Sequence, residues 1–167
     1  KHINWKYSKY CADSGYDSQQ NHEALETRGI DDYIKPMKYE NSKKRKVKTD
    51  IGLKENMTYD KKKDWFICKN NKKLTLNKIK AKKNQYGYEI VTHVYRCKRG
   101  CRSCSYRSAC MKRSRAKYKQ VQINHTLAAY QKKATDLITS SLGKEIRINR
   151  SIQAEGAFAQ IKNNWSL

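Results

Sequence analysis

No stretch of 18 consecutive apolar residues occurs in this 167-residue chain, and its first residues lack the apolar core of a signal peptide. Neither a membrane span nor secretion has support. Proline occurs once, at Pro36, and acidic residues are scarce, with 15 Asp+Glu against 38 Lys+Arg. The length corresponds to about one domain, which excludes a multidomain enzyme. The four histidines show no mutual spacing suited to a site, so none is assigned a role. The expectation is a soluble, cytoplasmic protein. The sequence opens at Lys1 without an initiator Met and stops at Leu167 directly after a helical pattern, which suggests a segment of a longer chain.

The net charge of +23 is unevenly distributed. Residues 35 to 119 hold 28 of the 38 basic and 6 of the 15 acidic residues, a net of +22, whereas residues 1 to 34 carry −2 and residues 120 to 167 carry +3. A basic insert thus sits between two nearly neutral segments. Such a field concentrates polyanions, so nucleic acid is the first partner expected and an anionic membrane surface the second.

The pattern along the chain is mixed. Ile3 to Ala12 reads as a strand ending at Asp13, Ser18 caps a helix through His22 to Thr27, Gly29 terminates it, and Ile30 to Ile34 forms a second strand closed by Pro36. Strand, helix, strand is the opening of an α/β unit. The basic run Lys43-Lys44-Arg45-Lys46-Val47-Lys48 cannot bury itself and is expected as an exposed loop. Tyr59-Asp60 and Trp65 to Cys68 suggest a hairpin, Leu74, Leu76 and Ile79 follow, and Tyr88 to Cys97 reads as a strand. Thr126 to Ser140 has helical spacing, Gly143 interrupts, and a second helix runs from about Glu145 or Ser151 to Lys162. Its apolar stripe is Ala154, Phe158, Ile161 and Trp165, with Glu155 and Lys162 at the edge.

Five of the six cysteines lie in the insert: Cys68, Cys97, Cys101, Cys104 and Cys110. Clustered thiols in a basic, intracellular chain favour metal ligation over disulfides. Zinc held by four of the five is the leading expectation, with an iron-sulfur cluster or unliganded reduced thiols as alternatives. Arg96, Lys98, Arg99, Arg102 and Arg107 are expected to lower the thiol pKa values and to face phosphates from a rigid knuckle. Cys11, on the first strand, reads as a small hydrophobe.

Two blocks, Ala12-Asp13-Ser14-Gly15-Tyr16-Asp17-Ser18 with Asn21, and Arg150 through Glu155 to Asn164, resemble the catalytic blocks of bacterial insertion-sequence transposases of the DDE type. They resemble in particular the IS1182-like branch of the broad IS4/IS5 grouping. That branch also has phrases similar to Tyr59-Asp60 through Cys68 and to Tyr95-Arg96-Cys97 through Cys110, so the likeness covers nearly the whole chain.

The resemblance implies an α/β chain with a partial RNase H-like fold and a basic, cysteine-rich β insertion. Residues 1–36 and 120–167 would form the core and 37–119 the insertion. It implies cleavage and joining of DNA strands with Mg2+ or Mn2+, Asp13 and Glu155 being catalytic metal ligands. Arg150 and Lys162 match the basic positions of the helix signature, although four residues rather than three separate Arg150 from Glu155, and Arg147 stands where a tyrosine is usual. Double-stranded DNA at transposon ends and target would be the partner, met by Arg150, Lys162, Lys43, Lys44, Arg45, Lys46, Arg99 and Arg102. The full-length protein would be a homo-oligomer associated with the bacterial nucleoid.

Residues 1 to 12 contain no Asp or Glu, and Asp17, Asp31 and Asp32 follow Asp13. A third carboxylate is therefore expected from upstream, and the segment alone is expected to be inactive. The competing readings are a non-catalytic cysteine-cluster DNA-binding module and a relic of a decayed transposase.

Overall fold

A computed structural model describes residues 7–112 and 115–165, with the side chains of Glu155 and residues 157–165 outside the description. In chain order the elements are β1 (Lys9–Ala12), α1 (Gln19–Thr27), β2 (Asp31–Ile34), α2 (Tyr39–Ser42), α3 (Arg45–Lys48), β3 (Thr58–Asp60), β4 (Trp65–Ile67), β5 (Lys73–Lys83), β6 (Glu89–Cys97), α4 (Arg107–Met111), β7 (Gln120–Ile123), α5 (His125–Thr139) and α6 (Ser141–Trp165). The chain forms a mixed α/β fold in two compact units: residues 1–39 with 129–167, and residues 40–128.

In the first unit β1 and β2 run parallel, Ala12 facing Ile34 in register. A parallel pair needs a crossover, which α1 supplies. Ser18 begins that helix by accepting a hydrogen bond from the Asn21 amide at 3.2 Å. Gly29 ends it at φ +65°, donating its amide to the Glu26 carbonyl while Ile30 donates to Leu25. Ala12, Leu25 and Ile34 close a small apolar core, with Ile30 packed against it. Farther along, α5 buries Ala134 and Ile138.

Gly143 lies in the first turn of α6 instead of interrupting the helix. A Cβ there would meet the Leu137 carbonyl oxygen at 2.0 Å and Ile138 Cα at 2.8 Å. Glycine permits the close turn from α5, and Ser140 Oγ caps it by accepting from the Gly143 amide at 3.0 Å. Ala154 is half-buried, while the predicted stripe at Phe158, Ile161 and Trp165 lies outside the described side chains.

The second unit is a five-stranded antiparallel meander in the order β3-β4-β5-β6-β7. Met57, Phe66, Leu74, Tyr95, Cys97 and Val121 form its core, and Phe66 meets the edge of Tyr95 with ring centres 5.1 Å apart. Asp64, at φ +49°, accepts from the hydroxyls of Tyr59 at 2.7 Å and Tyr95 at 2.5 Å, satisfying both phenols. The expected exposed loop at residues 43–48 is instead partly helical. Lys43 and Lys44 precede the short α3 and Arg45 and Lys46 lie on it; all four are exposed, one turn being too short to present a burying face. Strand β7, with only Val121 buried, had no sequence counterpart.

Candidate active site

Asp13 directly follows β1, and the ladder continues one step past the strands, with the Lys35 amide donating to the Ala12 carbonyl at 3.1 Å. Asp13 and Lys35 therefore stand together at the carboxyl ends of two parallel strands, where open α/β sheets place their ligands. The Asp13 carbonyl accepts from the Tyr16 amide at 3.0 Å, starting the 3-10 turn Ser14–Tyr16. The Asp13 carboxylate is 57 % exposed and receives a hydrogen bond from Arg150 Nη2 on α6 at 2.5 Å.

Around this pair lies a cleft of about 420 Å³, lined by Cys11, Ala12, Asp13, Lys35, Lys144, Arg147, Ile148, Arg150, Ser151 and Ile152. Four cationic side chains thus surround one carboxylate. Arg147 also sits over the Tyr39 ring, 5.5 Å from its centre, a cation-π contact that steadies the guanidinium. Burial raises the Cys11 thiol pKa, partly offset by the charges of Arg150 and Arg147. Cys11 is half-buried and forms part of the cleft wall.

Glu155 falls one helical turn beyond the cleft-lining Ser151, about 6 Å along the axis of α6, and Lys162 two turns farther. The side chains of Glu155 and Lys162 lie outside the described residues.

Beneath the Asp13 loop is an ion network unforeseen from the sequence. His22 is fully buried on α1, with Nε2 2.9 Å from Asp17 Oδ1 and Nδ1 hydrogen-bonded to Asp32 Oδ2. Burial alone would lower the imidazole pKa, but hydrogen bonds to Asp17 and Asp32 and their charges outweigh it and raise the value to about 9. Asp17 moves down, because its bonds from His22, the Met37 amide and Gln131 Nε2 overcome its own burial. The imidazolium thereby ties the 3-10 turn region, α1 and β2 together. A pairing of His22 with Asp17 five residues earlier was the available signal. The order of the chain gave no reason to join Asp32 to them.

In the second unit Cys68 follows β4, Cys97 ends β6, Cys101 and Cys104 lie in the next loop, and Cys110 sits on α4. All are free thiols. The predicted lowering of their pKa values is overturned for Cys97 and Cys110. Burial, then the hydrogen bond and charge of Cys101, raise Cys97 to about 11. Cys110 also rises through burial, with Lys119 opposing and Cys68, Cys101 and Cys104 adding to the rise. The anticipated cations do not offset desolvation. Asn70 Nδ2 donates to Cys104 Sγ at 3.4 Å, joining that loop to the turn after Cys68. Among the described residues no group of three or more His, Cys, Asp and Glu side chains is placed to hold a metal ion.

A family model described as a transposase DDE domain matches residues 67–167, well over half of the chain. The chain belongs to the transposase DDE domain family. The match takes in the five clustered cysteines, Arg150, Glu155 and Lys162, whereas Asp13 precedes it. No curated protein and no solved structure gives a match.

Of the expected DNA contacts in this DDE domain, Lys43 pairs with Glu40 at 3.3 Å and is half-exposed, and Lys44, Arg45 and Lys46 are open to solvent. Arg99 and Arg102 are exposed beside the cysteines, Arg99 lining a groove with Lys72, Lys73 and Lys98. Arg150 is engaged with Asp13. Lys35, Lys144 and Arg147 join Arg150 at the cleft without having been singled out as contacts in the sequence. Among the described residues no helix is long and apolar enough to cross a membrane.

Proposed function

We propose that this chain supplies part of the catalytic centre of an insertion-sequence transposase that cuts and joins double-stranded DNA. The observation that carries this reading is Asp13 at the carboxyl end of a parallel strand, held by Arg150 of the helix that also bears Glu155. Membership in the transposase DDE domain family supports it independently.

The donor chemistry suits Mg2+ or Mn2+. Asp13 is an exposed hard oxygen ligand in a cleft, and Glu155 is one turn from the cleft wall. When bound, such ions supply Lewis-acid activation of the attacking oxygen and stabilisation of the leaving one. The chain's own residues bind and orient the substrate. Lys35, Lys144 and Arg147 present a concentrated positive wall to the phosphate backbone, and Arg150 has the fork geometry for a bidentate phosphate contact once freed from Asp13. Lys162, Lys43, Lys44, Arg45, Lys46, Arg99 and Arg102 extend that recognition as further phosphate contacts.

Residues 1–12 offer no third carboxylate to the proposed metal site, and the 167 residues alone are proposed to be inactive. The intact protein is proposed to act as a homo-oligomer on the bacterial nucleoid, within an IS1182-like element. The cysteine cluster is proposed to take one zinc ion through four of Cys68, Cys97, Cys101, Cys104 and Cys110.

The test is DNA cleavage by the intact transposase with Asp13→Asn and Glu155→Gln. Each should reduce Mg2+-dependent cleavage by at least about 100-fold, the upper range for disturbing even a metal's outer partners. Circular dichroism and binding of DNA should stay unchanged. Undiminished cleavage by either variant would remove that residue from the metal site.

A further inference from the structure

Beyond the region where other strands flank them, β5 and β6 continue as a two-stranded ribbon. Strand β4 pairs with β5 only at Lys73–Thr75, and β7 pairs with β6 only at His93–Arg96. From Lys80 facing Thr92 to Lys83 facing Glu89 the two strands have only each other among the described residues. Every residue of β5 from Asn77 to Lys83 is exposed.

The charge of this ribbon is ordered by the strand period. Lys80 and Lys82 on this extension, and Lys78 at its base opposite Val94 where β7 still flanks β6, alternate along one face, about 7 Å apart. β5 carries five lysines and no acidic residue, and Glu89 is the only acid on β6. The tip is fixed by Asn84, whose Oδ1 accepts from the amides of Tyr86 at 2.9 Å and Tyr88 at 3.0 Å, while Gly87 turns at φ +78°. Such a ribbon costs little to order on binding.

We infer that the β5–β6 ribbon is a duplex-DNA-binding arm that enters the major groove, with Lys78, Lys80 and Lys82 against the phosphates. The inference rests on the proposed action on DNA and adds a recognition element remote in sequence from Asp13 and Glu155. The dimensions agree: strands lie about 4.8 Å apart, and the B-DNA major groove, about 12 Å wide, admits a two-stranded ribbon. The lysine repeat of about 7 Å equals two phosphate steps along the duplex axis. Lysines on an exposed edge also discourage strand-to-strand aggregation. That duty alone requires neither a single sign of charge nor a regular one-face array.

The experiment uses the whole chain and a 30-base-pair duplex, with affinity measured across a salt series. Replacing Lys78, Lys80 and Lys82 by Gln should reduce the slope of log affinity against log salt by about 2.7, at about 0.9 for each phosphate no longer neutralised. Replacing exposed Lys61, Lys62 and Lys69 by Gln removes the same charge and should change the slope by less than about 1. Lys→Arg at the three ribbon positions should restore it, which excludes misfolding as the cause. Equal slopes for the two Gln triples would overturn the ribbon assignment while leaving DNA action intact. A wild-type chain without duplex affinity would overturn the DNA reading itself. A ribbon effect seen only with single strands or anionic vesicles would overturn the duplex assignment.

Discussion

Arg150 Nη2 donates to Asp13 Oδ2 at 2.5 Å, so the carboxylate proposed to hold a divalent ion is occupied by a guanidinium from the helix bearing Glu155. The pair lies at the surface, with Asp13 57 % and Arg150 34 % exposed. Its worth to stability is therefore small, about 1 kcal/mol or less. Arg150→Ala should leave the urea midpoint of the chain nearly unchanged. In the intact transposase it should cut DNA cleavage at least about tenfold, through loss of one charge-assisted hydrogen bond to phosphate. A large fall in stability with unaltered cleavage would make the pair structural.

His22 predicts the opposite balance. Its imidazolium is fully buried between Asp17 and Asp32, and Asp17 is itself almost fully buried. Removing it strands carboxylates in the interior, so His22→Ala should cost about 3–5 kcal/mol by chemical denaturation. The folded pKa of about 9 lies above the reference 6.5. Its contribution is complete below pH 6.5 and declines as pH rises through 9, on the order of 3 kcal/mol in all. Asp17, lowered in the fold, contributes above its ordinary value of 3.8 and loses that contribution as pH falls below it. Wild type should be most stable between these limits, and His22→Ala should lack the alkaline decline. A flat stability profile from pH 6 to 10 in wild type would rule out the charged imidazole.

Local signals made much of the first unit legible. Ser18 before a helix, Gly29 after it and apolar residues on either side each act within a few positions, and all three appear in the structure. The β3–β4 hairpin and the strand ending at Cys97 were legible for the same reason. What escaped depends on distant partners. His22 meets Asp32 only after β2 pairs with β1, and Lys35 meets Lys144 and Arg147 only once α6 reaches the strand ends. The thiol pKa values failed similarly: sequence proximity counted the cations but not the burial of Cys97 beneath the sheet core.

Gly143 tests how a helix can be read as broken. Gly→Ala inside a helix ordinarily stabilises by about 1 kcal/mol. Here the added Cβ would lie 2.0 Å from a backbone oxygen, which cannot rotate away as a side chain would. The sign should reverse, with Gly143→Ala destabilising by about 1–3 kcal/mol through overpacking. Thermal unfolding measures this directly, and a raised melting temperature would show that α5 and α6 do not turn so tightly.

The cysteines provide the remaining contrast, between reduced thiols and a zinc centre. In metal-free protein Cys97, with its pKa raised to about 11, should alkylate slowly at pH 8, since only about one thiol in a thousand is ionised there. Zinc binding has to displace protons from such thiols, so affinity should tighten as pH rises from 6 to 8. One equivalent of zinc should protect four of the five clustered cysteines from iodoacetamide, while Cys11 in the other unit keeps its metal-free rate. Mass mapping then identifies the unprotected fifth. Alkylation of all five at unchanged rates with zinc present would leave these thiols as reduced residues packed beside the core of the sheet.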